Sequence, residues 1–200
     1  MKILAFVDLH GSFKALKKLG QLAKKENPDI ILCAGDISIF EQNLDYLMHK
    51  VSKLKKPVLA VHGNHEDEGT MKKSCSLFEN ITFIHGRAYE FNNVLFIGWG
   101  GGGFSLRDKE LEKRTKEFKK KMEKFDKVVL LTHAPPYNTK LDRIIEESCG
   151  NKTIRNFISE NTKKIKVAVS GHLHENAGAE DHVKETRVVN PSPFGKVITI

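Results

Sequence analysis

A chain of 200 residues, 40% hydrophobic and 29% charged, carries enough apolar material for a packed core and lacks the bias of a disordered segment. No apolar run approaches the roughly eighteen residues of a membrane span, and the three cysteines, Cys33, Cys75 and Cys149, are odd in number and without a CxxC pair, which argues against a disulfide framework or a thiolate zinc site. The formal charge of +8 suits anionic partners, including phosphorylated small molecules and nucleic acid.

In chain order, short β-branched runs alternate with amphipathic stretches. Lys2 to Val7 reads as a strand. Asp8 and His10 follow it at once instead of a small-residue cleavage site, so it does not read as a signal-peptide core, and a cytoplasmic protein is expected. Ser12 suits the N-cap of a helix over Phe13 to Lys25, where Phe13, Leu16, Leu19, Leu22 and Ala23 recur at helical spacing. Asp29 to Ala34 predicts a strand with Cys33 in the core, Phe40 to Lys53 a helix, and Pro57 to His62 a strand. From Ile81 to Trp99, two or three strands, Ile81 to Ile84 and Val94 to Trp99 among them, follow with no helix between them, which predicts antiparallel additions, and Gly100 to Gly103 mark a flexible loop. Arg107 to Phe125 predicts a helix with nine Lys or Arg against five Asp or Glu. Its signs alternate, as on a solvated face, so it reads as a wet helix before a nucleic-acid surface.

The remaining strands are Lys127 to Thr132, Ile165 to Ser170, Thr186 to Asn190 and Lys196 to Ile200, with a short helix over Thr153 to Asn161. Several strands show little polar alternation, as strands covered on both faces do. The order predicts an α/β layered fold with parallel pairing in its first part, as one domain over residues 1–200.

The chemistry gathers at strand ends. Asp8-Leu9-His10-Gly11 follows the first strand, Gly35-Asp36 the second, and Gly63-Asn64-His65-Glu66 the third. Thr132-His133 and Gly171-His172-Leu173-His174 follow two later ones. The carboxyl edge of an α/β sheet is where ligand-binding loops converge. A single DxH or HxH match means little, but five groups in the same strand-end position, four of them beside Gly, form a joint signal. Imidazole with carboxylate and amide oxygen suits borderline first-row divalent ions rather than Ca²⁺. His49, His62, His85 and His182 lie outside the pattern and read as ordinary hydrogen-bonding residues.

The succession DxH, GD, GNH(E/D), lone H and GHxH, intact over residues 8–174, resembles the calcineurin-like metallophosphoesterase superfamily, and Asn190-Pro191 with Gly195 is similar to its usual ending. The resemblance implies a four-layer αββα sandwich with two facing mixed β-sheets flanked by helices. It implies a phosphodiesterase acting on small or nucleotide-like diesters through a metal-bridging hydroxide. It also implies a dinuclear centre: Asp8, His10 and His174 for one ion, Asn64, His133 and His172 for the other, and Asp36 bridging both. Mn is the first candidate, with Fe, Zn, Ni or Co also fitting the ligand types. His65 would be the catalytic residue, touching the substrate phosphate with Asn64 and assisting the leaving group.

One departure narrows the substrate. Ser/Thr protein phosphatases of the family extend GD into GDxVDRG, whereas Gly35-Asp36-Ile37-Ser38-Ile39-Phe40-Glu41 has neither the second Asp nor the Arg. The residue that orients His65 is left to Glu41 or Glu66. The alternatives are a nuclease on DNA or RNA and a non-catalytic protein-binding scaffold. The oligomeric state is not set by the sequence.

Overall fold

A computed structural model describes residues 1–200. Thirteen strands, five helices and one short 3-10 turn make up the fold, and eleven of the strands form two large sheets. The first sheet has the order β13-β1-β2-β3-β4, formed by Lys196–Thr199, Lys2–Phe6, Ile30–Cys33, Val58–Ala60 and Ile81–Phe83. All pairs are parallel except β13 against β1. The second has the order β11-β12-β10-β7-β6-β5, formed by Glu180–Val183, Thr186–Val189, Ile165–Val169, Lys127–Thr132, Val94–Trp99 and Arg87–Phe91. Its centre is parallel and both edges are antiparallel. A small hairpin, β8 (Arg143–Ile144) with β9 (Glu147–Ser148), stands apart.

The four layers follow from a period of two with apolar residues at both phases. In β1, Ile3 and Ala5, with Val7 just beyond it, face the other sheet; there they meet Val94, Phe96, Val129, Leu131, Val167 and Val169. The alternate residues Leu4 and Phe6 face α1 (Phe13–Glu26), α2 (Leu44–Ser52) and α3 (Glu68–Ser76). The outer face of the second sheet does the same through Leu95, Ile97, Val128 and Leu130 against α4 (Lys109–Met122) and α5 (Lys152–Glu160). The fold is thus the four-layer sandwich expected. No helix is long and apolar enough to cross a membrane.

Several boundaries depart from the sequence reading for identifiable reasons. The helix expected from Phe40 starts only at Leu44, because Phe40, Glu41 and Asn43 are all in the left-handed region, with φ of 47°, 64° and 56°. Asp108 caps α4 by accepting from the Leu111 N–H at 2.9 Å, so that helix begins at Lys109, not Arg107. Helix α3 was not expected; it carries Gly69, Ser74 and Ser76 and buries only Met71, Ser74 and Cys75, a stripe too thin to read. Strand β5 is the third strand allowed before Trp99 but not delimited, and β11 was missed; both are edges with half-exposed, polar-rich faces. The antiparallel addition expected near Val94 is the β5–β6 hairpin, while β4 pairs parallel with β3.

The strands β1, β2 and β3 run parallel in one sheet and β6, β7, β10 and β12 in the other. Their carboxyl ends carry the loops that hold nearly all the metal-capable residues. That common edge is the candidate site.

Candidate metal centre

The first loop is locked to the second. Asp8 N–H donates to the Gly35 carbonyl at 3.1 Å, and His10 N–H to the Asp36 carbonyl at 3.0 Å. The second lies on the third so closely that a Cβ at Gly63 would sit 1.8 Å from Asp36 Oδ1; only glycine fits. Gly171 N–H donates to the His133 carbonyl at 2.9 Å, joining the two loops of the other sheet. The sheets are then tied together at the site, where His172 N–H donates to both Asp8 oxygens, at 3.3 and 3.1 Å.

Backbone strain marks the same residues. Asp8, His10, Asp36 and His172 have φ of 53°, 43°, 51° and 72°, each costing on the order of 1 kcal/mol for a side chain with a Cβ. Such conformations persist only where surrounding contacts over-determine them. Asp36 shows how: its N–H donates to Glu66 Oε2 at 3.0 Å, and its Oδ1 accepts from the His65 N–H at 2.9 Å.

All seven expected ligands come together. Ligand atoms of Asp8, His10 and His174 lie within 4.8 Å of one another, as do those of Asp8, Asp36 and His133. His10 Nε2 is 2.9 Å from His174 Nε2. Asn64 Oδ1 lies 2.9 Å from His133 Nε2 and 2.7 Å from His172 Nδ1. Asp36 Oδ2 reaches both groups, 3.7 Å from His10 Nε2 and 3.5 Å from His133 Nε2. Asp8, Asp36 and His133 form a buried floor, whereas Asn64 and His174 are exposed at the lip.

The donor chemistry fits divalent cations. His133 Nδ1 lies 2.8 Å from the Ala34 carbonyl, which accepts its proton and leaves the Nε2 lone pair aimed into the cluster. His172 Nε2 and His65 Nδ1 are buried and without hydrogen-bond partners. Burial, then the Asp36 carboxylate, pushes the Asp8 carboxyl up to about 8. Burial and neighbouring His133 lower His172 to about 4, which keeps its ring neutral near pH 7. A buried carboxyl raised in this way, beside an imidazole held neutral, is a pair of groups a cation would stabilise.

His65 lies among these groups. One of its ring nitrogens falls within 4.8 Å of ligand atoms of His10 and Asp36, and its ring meets that of His10 edge-on at 4.8 Å. Neither acid expected to orient it does so. Glu66 is buried and fully engaged by the Asp36, Ser38 and Gly63 N–H groups and the Ser38 hydroxyl, at 2.8 to 3.1 Å. Glu41 accepts from the Asp67 N–H at 2.9 Å. Sequence reasoning left Glu66 as one of two choices for orienting His65; instead it clamps the loop after β2 to the loop after β3. An acid directly after Asn64 and His65, in a loop predicted to close over a cluster, was the available signal, since a buried carboxylate needs donors wherever it lies.

Of the four histidines outside the motifs, His85 accepts from the Gly100 N–H at 2.8 Å, the bland role expected. His62 packs on it at 4.7 Å between ring centroids, and burial lowers its pKa to about 4.

Comparison with known proteins gives one consistent picture. A family model described as calcineurin-like phosphoesterase matches residues 1–176. The uncharacterized protein MJ1162 of Methanocaldococcus jannaschii is 29% identical over 203 residues, covering 96% of this chain and 88% of that protein. Among solved structures, a dimetal phosphatase from Danio rerio superposes with a TM-score of 0.69 at 13% identity, covering 98% of this chain and 91% of that one. A novel archaeal phosphodiesterase superposes with a TM-score of 0.57 at 15% identity, covering 96% and 84%. At such identities the two structures speak for the fold.

Proposed function

Because this chain belongs to the calcineurin-like phosphoesterase family, whose members hydrolyse phosphoesters at a pair of divalent metal ions, we propose that it is a phosphodiesterase acting on small or nucleotide-like diesters. The observation that carries this reading is the reach of one Asp36 oxygen to both His10 and His133, which links the two ligand sets. Asp8, His10 and His174 would hold one ion, Asn64, His133 and His172 the other, and Asp36 both. Mn²⁺ is our first choice, on ligand type. When bound, such a pair supplies a hydroxide near neutral pH and Lewis acidity at the phosphoryl oxygens.

The protein's own residues supply the rest. Asp8 and Asp36 carry two negative charges, and Asn64 adds a ligand without a third, so the loaded site keeps positive charge for a phosphate. As water's oxygen bonds to phosphorus, the bond to the leaving oxygen breaks, and that oxygen needs a proton. His65, beside Asn64 and with its backbone N–H fixed on Asp36, is placed to give it. The clamp of Glu66 holds Asp36, Asn64 and His65 in register.

A small diester is favoured on two grounds. A cavity of about 400 Å³ opens beside Asp8, His10 and His174, room for a compact ligand. Where protein phosphatases of the family place a second Asp and an Arg, this chain has Ile39 and Phe40, directly after Ser38, which is closed onto Glu66. Free thiols at Cys33, Cys75 and Cys149 suit our placement of the protein in a reducing cytoplasm.

The test is an activity panel. Chelated protein is reconstituted separately with Mn²⁺, Fe²⁺, Co²⁺, Ni²⁺ and Zn²⁺ and assayed on matched mono- and diesters. We expect no turnover after chelation and recovery with Mn²⁺, with diesters ahead. A monoester preference would overturn the diesterase assignment, and no turnover on any ester with metals bound would favour a scaffold.

A further inference from the structure

Two phenylalanines stand exposed beside the metal-ligand cluster. Phe40 is 72% exposed and its ring lies 4.6 Å from that of His65. Phe104 is 65% exposed and its ring lies 4.6 Å from that of His172. Each ring is therefore one imidazole away from the groups that would grip a phosphate.

Their exposure is imposed rather than left over. Phe40 is held in a left-handed conformation at φ 47°, which a bulky side chain adopts only under constraint. The constraint comes from both sides: Ser38 is fastened to Glu66, and Glu41 to the Asp67 N–H. Phe104 follows the glycine run, and its loop is also fastened. Gly101 N–H donates to the His62 carbonyl at 2.9 Å, and the Ser105 carbonyl accepts from Asn151 Nδ2 at 2.7 Å. Other exposed rings are already in use: Phe194 carries the Lys18 ammonium 4.6 Å from its centroid, and Phe13 meets Tyr46 at 6.1 Å.

Resting on the phosphoesterase reading, we propose that Phe40 and Phe104 form an aromatic grip that stacks the nucleobase of a nucleotide substrate whose phosphate sits at the metal cluster. Two observations favour a base over an aliphatic group or a partner protein. Both residues offer a flat face rather than a branched aliphatic one, and each ring lies 4.6 Å from a histidine of the cluster that would hold the phosphate. Stacking faces without polar groups to read the base edge also predict tolerance of base identity.

The experiment measures binding, independent of turnover, with probes whose C–P bond no phosphoesterase cleaves. Mn²⁺-loaded protein is titrated calorimetrically with an acyclic adenine nucleoside phosphonate and with methylphosphonate. We expect the adenine probe to bind about tenfold more tightly, the scale of one base–aromatic stack. In the Phe40→Leu, Phe104→Leu double variant, which keeps apolar bulk, that advantage should vanish; in the double Tyr variant it should persist. Metal content and melting temperature, measured in parallel, confirm that each variant is folded and loaded. An advantage that is absent in the wild type, or intact in the Leu variant, overturns the grip. Failure of methylphosphonate to bind counts instead against the phosphoesterase reading, and the effect of the Leu pair on the adenine probe still decides the grip.

Discussion

At the scale of single residues, the roles proposed for Asp36 and His65 predict different failures. One Asp36 oxygen lies within 3.7 Å of His10 and 3.5 Å of His133. Asp36→Asn, nearly isosteric but uncharged, is therefore expected to weaken both metals together; loss of one ion with the other retained, read by elemental analysis, would contradict the bridge. His65 is expected to assist without ligating. His65→Asn should lower kcat by roughly a hundredfold or more while metal content stays near two ions, the scale of a lost general acid. Because its ring nitrogen comes near His10 and Asp36, equal loss of metal would make it a ligand instead.

At the scale of elements, an ion triad away from the site also joins the two sheets. Glu180 on β11 receives Arg187 Nε of β12 at 2.6 Å and pairs with Lys196 of β13, a strand of the other sheet. Hydrogen bonds from Arg187 and then Lys196 hold the Glu180 carboxyl down at about 2, against an ordinary 4.5. A depressed folded-state pKa stabilises the fold above the unfolded value and is lost as pH falls through the folded one. Acid titration should therefore show Glu180→Gln less stable than wild type at pH 6 and equal to it near pH 2. Solvent reaches this triad, so the difference should stay below about 1 kcal/mol. The lysine-rich helix α4 shows the same surface economy. Lys113, Arg114 and Lys121 pair within the helix and Lys119 with Glu160, which leaves the face solvated, as its charge pattern indicated.

At the scale of the whole molecule, we expect metal binding and folding to be coupled through Asp8, which ties the sheets at the site. Its carboxyl titrates at about 8 in the metal-free protein, against an ordinary 3.8. A raised folded-state pKa favours folding at low pH and loses that contribution as pH climbs from the unfolded value through the folded one. The chelated protein should thus lose thermal stability between about pH 4 and pH 8, and Mn²⁺ should restore more at pH 8 than at pH 5. Scanning calorimetry with and without metal reads this directly, and Asp8→Asn should flatten the dependence of the chelated form. A metal-induced gain that shrinks with rising pH would exclude the coupling.

The sequence by itself determined the layers and the identity of the cluster. Apolar residues at both phases of β1, β2, β7 and β10 require covering on two sides, and polar groups placed directly after those strands can only fall on one sheet edge. Tertiary structure alone decided what the acids beside the cluster do and which aromatic rings are left in solvent. Glu66 spends its oxygens on N–H groups up to 30 residues away, and Phe40 is turned outward by a backbone conformation that propensity disfavours. Local pattern encodes which face is apolar; it does not encode which distant donor arrives, because that depends on how two sheets and their loops close upon each other.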